Sequence, residues 1–96
     1  MEDELTAVRQ RALDLVRNGY DQVASVARVD LKAINRPRPA SLQYGSRDEI
    51  VREFLAAAGA VATFAVNLGL ITADQARQAI LDFGAAHPEL VDQSPP

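Results

Sequence analysis

The chain has 96 residues, ten Lys and Arg against thirteen Asp and Glu, and a net charge of −3; it is one domain's length and no general polyanion binder. Apolar residues make up 48%, ordinary for a globular protein and too many for a disordered one. Cysteine is absent, which excludes disulfide frameworks, thiolate zinc sites and cysteine nucleophiles.

The first helix is expected from about Asp3 to Asn18. Leu5, Val8, Ala12, Leu15 and Val16 recur at short helical spacings and share a face. Glu2, Asp3 and Glu4 suit the positive end of the helix dipole, and Arg17 the negative end. Asn18-Gly19 ends the helix, glycine being free to turn left-handed. The acidic opening is unlike a secretory leader, so the expected compartment is the cytoplasm. Arginine outnumbers lysine nine to one and alanine counts seventeen, a bias that points to a GC-rich bacterial genome.

Asp21 can cap a short second helix to Ala27 or Arg28, and Asp30 a third from Leu31 to about Asn35. The alternative is one helix from Asp21 to Asn35. Val23, Val26, Ala27, Ala33 and Ile34 form the buried stripe in either case. Pro37 and Pro39 lack an amide hydrogen and stop any helix. Residues 36–45 are then a loop, with Leu42 and Tyr44 as anchors.

Ser46 and Glu49 form a capping box, and Thr72 and Gln75 repeat the device. The fourth helix runs from the first box to Leu68, closed by Gly69. Two apolar stripes run along it, one of Ala57, Val61, Phe64, Ala65 and Leu68, the other of Leu55, Ala58, Ala62 and Val66. Burial of both is expected. Residues 54–73 carry no charge, and about 20 apolar residues span a bilayer. The run is alanine-rich and includes Asn67 and Gly69, which favours burial in protein over lipid. The last helix has Ala76, Ile80 and Phe83 inside with Ala79 beside them, and ends at Gly84 or Pro88. A frayed tail is expected over 91–96.

Residues 28–52 carry a net charge of +3 between acidic flanks. Within them, residues 20–36 resemble a bacterial helix-turn-helix over 17 positions. Ala24 takes the place of the small residue between the helices, Val23, Ala27, Val29 and Ile34 lock them, and Asp30 caps the recognition helix. The resemblance implies DNA contacts from Arg28, Lys32, Asn35, Arg36 and Arg38. Arg28 stands where glycine is usual, and Pro37 cuts the second helix short.

Small residues recur every four positions on the fourth helix, and Ala56, Gly59, Ala60 and Thr63 are the expected self-association face. His87, the one histidine, has no partner and reads as solvated. Asp74, Asp82, Glu89 and Asp92 lack calcium-loop spacing, and the glycines form no phosphate cradle. Arg36-Pro-Arg38-Pro resembles a short basic proline-rich ligand, and a rigid loop between two helices explains it equally well.

The expected fold is all-α, a compact bundle of four to five helices around a long apolar helix at about 47–68. Residues 1–90 form a single domain. The leading function is a non-enzymatic interaction or assembly module, homodimeric through helix packing. The alternatives are a helix-turn-helix transcription regulator using residues 20–36 and a small membrane protein spanning at 54–73. No catalytic set, metal site, cofactor or small-molecule substrate is indicated.

Overall fold

A computed structural model describes residues 2–91. Five α-helices follow in order: α1 (Glu2–Val26), α2 (Leu31–Asn35), α3 (Arg47–Asn67), α4 (Ala73–Ala86) and α5 (Pro88–Val91), with a 3-10 turn at Ala40–Leu42 between α2 and α3. The fold class is all-α, as the sequence implies. Of the tail expected over 91–96, residues 92–96 lie outside the described residues.

The first difference from the sequence reading is α1. It runs through Asn18-Gly19 and absorbs the second helix expected at Asp21. Glycine inside a helix costs about 1 kcal/mol. Continuing the helix keeps Tyr20 and Val23 in the same row as Val16, and all three are buried. Burying a large apolar side chain is worth about 1.5–3 kcal/mol, so two of them outweigh the glycine. A Cβ built on Gly19 meets the Ala58 Cβ at 4.0 Å, an ordinary contact. Gly19→Ala is therefore expected to stabilise the protein by about 0.5–1 kcal/mol. A urea midpoint that falls instead would mean the two helices need the glycine for closer approach.

The other ends follow local chemistry. Asp30 caps α2, its carboxylate accepting from the Lys32 amide at 3.1 Å. The Ser46 hydroxyl accepts from the Glu49 amide at 3.3 Å, but the Glu49 carboxylate takes the Gly45 amide at 3.0 Å. The box expected there is thus half formed. At α4 it is complete, with Gln75 to Thr72 at 3.0 Å and the return bond at 2.9 Å. Gly69, at φ 75, turns the chain out of α3. Gly84 stays inside α4, and His87 closes it.

Side-chain contacts set the chain directions. Gln10 and Leu13 lie by Leu70 and Gln75, and further along α1 Arg17 and Tyr20 lie by Ala79 and Phe83. The helices α1 and α4 therefore run parallel. Since α3 reaches α4 through a short turn, it runs against both, and Gly19 meets Ala58 where α1 and α3 cross. The core joins Val16, Tyr20 and Val23 to Val51, Ala58, Ala62 and Ala65, then to Ile71, Ala79 and Phe83. The Tyr20 and Phe83 rings are 6.0 Å apart. Among the described residues no buried side-chain polar atom lacks a partner.

Burial of both α3 stripes does not occur. Leu55, Ala58, Ala62, Ala65 and Val66 face the core, while Ala57, Val61, Phe64 and Leu68 are exposed. Leu5, Val8 and Leu15 on α1, Ile80 on α4 and the expected anchor Leu42 are exposed too. The reason is supply. The thinnest dimension is 19 Å, about two helix diameters, and among the described residues no further layer covers the outer side of α3. Nor does the uncharged run 54–73 form one helix, because it breaks at the turn after Asn67. Among the described residues no helix is long and apolar enough to cross a membrane.

Candidate functional site

Two surfaces carry the sequence-derived candidates. The first is the connection from α1 to α3, which contains α2. Its loop is held by one side chain above all. Asn35 donates through Nδ2 to the Tyr44 carbonyl at 2.8 Å and accepts through Oδ1 from the Tyr44 amide at 2.7 Å. One N–H and one oxygen lone pair of the amide are thereby engaged together by the same residue. Arg38 donates through Nε to the Leu42 carbonyl at 2.7 Å and lays its guanidinium 4.5 Å above the Tyr44 ring. The Tyr44 hydroxyl donates to the Glu53 carboxylate on α3. That hydrogen bond, then burial, raises the phenol pKa above the usual tyrosine value, against the pull of Arg38.

Of the five residues implied in DNA contact, Asn35 and Arg38 thus shape the loop. Arg28, Lys32 and Arg36 are exposed, and none forms an ion pair among the described residues. Lys32 and Arg36 share a shallow cleft with Leu31, Asn35 and Gln43. The second helix of the motif is only five residues long with none of them buried. Leu31, which the motif leaves facing solvent or DNA, is half-buried.

The second surface is α3. Of the small residues expected to mediate self-association, Ala56, Ala60 and Thr63 are exposed. Gly59 is half-buried, and a Cβ there would stand 3.9 Å from the Tyr20 hydroxyl oxygen. That glycine faces α1 within the same chain.

A different row of α3 is open. Phe54 and Val61 are 42% exposed, Phe64 64% and Leu68 57%, with exposed Ala57 between them. Their spacing alternates three and four residues, which places all five on one stripe. Leu55 and Val66, on the other flank of the buried row, pack against the core. The open stripe therefore lies on the side of α3 away from α4. On α1, Val8 and Leu15 lie opposite the Leu13–Arg17–Tyr20 row that meets α4. Both helices leave apolar side chains on the same outer face. The sequence reading places Ala57, Val61, Phe64 and Leu68 on one stripe but expects it buried, and it seeks the self-association face among the small residues instead.

A comparison with known protein families, curated proteins and solved structures finds no match.

Asp92 lies outside the described residues, and among the described ones the remaining candidates form no reactive arrangement. His87 is half-buried rather than solvated, its ring 5.1 Å from Phe83 and its Nδ1 3.8 Å from Glu89. No group of three or more His, Asp or Glu side chains among the described residues converges to hold a metal. Asp74 pairs with Arg77 at 2.8 Å on the exposed side of α4, and Asp82 accepts from Gln78 at 2.7 Å.

Proposed function

We propose that this chain is a small non-enzymatic assembly module that works as a homodimer through the outer face of α3. One observation carries the reading: Phe54, Val61, Phe64 and Leu68 stand open on a single heptad-spaced stripe. Scattered apolar residues on a surface need no explanation, but a contiguous row marks a place of association. Each such side chain gains about 1.5–3 kcal/mol on burial. Aromatic residues at the centre of a patch are frequent anchors of interfaces. The acidic, cysteine-free composition suits the cytoplasm, where we place the protein.

A second reading retains a nucleic-acid role for the connection. It is favoured by Arg28, Lys32 and Arg36, exposed cations without ion-pair partners among the described residues. It is the weaker reading, because Tyr44 already engages the paired donor and acceptor of Asn35 that a bidentate base contact needs.

Light scattering over a dilution series tests the leading reading. At micromolar concentration the expected mass is twice the 10.4 kDa of the chain. A monomer mass at every concentration removes it.

A further inference from the structure

We propose that the outer face of α3 packs against the same face of a second copy, antiparallel, with Ala57 of each chain opposite Leu68 of the other and Val61 opposite Phe64. This rests on the reading that the α3 face is where the protein associates. It adds the direction and the register of the pair.

Three observations select a second copy. The first is area. The chain exposes 6844 Å², where a compact monomer of its mass exposes about 5,400 Å². The chain is thus more open than a compact monomer of its mass. The second is charge. A two-fold interface sets a surface against its own twin, so any charge at its centre meets a like charge. Residues 54–73 carry none. The third is shape. Among the described residues no helix packs over the outer side of α3, and pairing α1 and α3 with their copies makes a four-helix core.

Side-chain size selects the direction. Four positions lie at the centre of the stripe: Ala57, Val61, Phe64 and Leu68. In a parallel, in-register pair each meets itself. Alanine then faces alanine across a void, and phenylalanine faces phenylalanine. Run antiparallel, the layers become Ala57 with Leu68, Val61 with Phe64, and the same two again across the axis. Every layer then joins a smaller residue to a larger one, which is how facing helices interdigitate without gaps. Phe54, one step outward, comes to the partner's turn after α3.

The connection between α1 and α3 selects the same direction. Ile50 continues the stripe toward the start of α3, yet it is 1% exposed and stands outside the cluster joining α1, α3 and α4. The connection is bonded to these first turns through Tyr44–Glu53 and Gly45–Glu49. It covers that end of the stripe. A parallel pair brings two such connections side by side and holds the helices apart. An antiparallel pair puts each beyond the far end of the partner's helix.

Because the chain has no cysteine, single cysteines give a clean test. Ala57→Cys and Leu68→Cys are prepared separately, checked by light scattering under reducing conditions, then oxidised alone and as a co-refolded mixture. A disulfide needs Cα atoms within about 7 Å. In the antiparallel pair, residue 57 lies beside the partner's 68, while like residues are eleven positions, or about 16 Å, apart along the helix. The mixture is therefore expected to form covalent dimers of one chain of each kind, and neither variant alone to do so. Self-linking of the single variants means a parallel pair and overturns the proposed direction, with self-association intact. Dimers that link in neither condition place the interface off this stripe and overturn the proposal. A wild-type monomer removes the proposal together with the reading it rests on.

Discussion

Val16→Asp is expected to abolish cooperative folding. Val16 is 1% exposed at the centre of the cluster where α1, α3 and α4 meet. A carboxylate there has no polar partner, since the cluster is built of apolar side chains and the Tyr20 and Phe83 rings. An unpaired buried polar group costs several kcal/mol, and an ionised one more. A domain of this size has about 5–10 kcal/mol of total stability, and small domains sit at the low end because they bury a smaller share of their surface. One substitution thus consumes most of the margin. Far-UV circular dichroism should show no cooperative thermal transition. A sharp melt within a few degrees of wild type would mean that Val16 reaches solvent, against the packing described.

The same chemical change at Val61 should do the opposite. Val61 is 42% exposed on the outer stripe, so an aspartate there stays hydrated in the single chain. Val61→Asp is expected to keep the helical spectrum and lose the dimer. In the antiparallel arrangement its carboxylate is pressed against the partner's Phe64, and the two copies bring their charges close to the axis. Light scattering should then read the monomer mass, and the melting temperature should lose its dependence on concentration. A dimer of unchanged strength puts the interface elsewhere. Unfolding of this variant means that the stripe supports the chain's own fold, as reading both α3 stripes as buried had implied.

Much of the local structure was legible because local chemistry decides it. Asp30, Ser46 and Thr72 cap the helices that follow them, and Gly69 turns left-handed after α3. A side-chain oxygen placed beside a free amide acts whatever the rest of the molecule does. Gly19 went the other way. Its helix-ending tendency is worth about 1 kcal/mol, and the burial of Tyr20 and Val23 overrides it. Asn35 shows the same limit at the candidate site. Its amide suits an adenine edge, but Tyr44, nine positions along, engages the paired donor and acceptor such a contact needs.

By itself, the sequence determined the all-helical class, the charge-free run at 54–73 and the shared stripe of Ala57, Val61, Phe64 and Leu68, because composition and periodicity are properties of the chain alone. It did not determine which of the two α3 stripes is inside. That depends on how many other helices are available to cover them and at what angle they arrive. Here α1 and α4 take one side, through alanines small enough to admit a close approach. Among the described residues no helix covers the other side between Phe54 and Leu68. Only the tertiary structure could separate the stripe that holds the fold together from the stripe left for a partner.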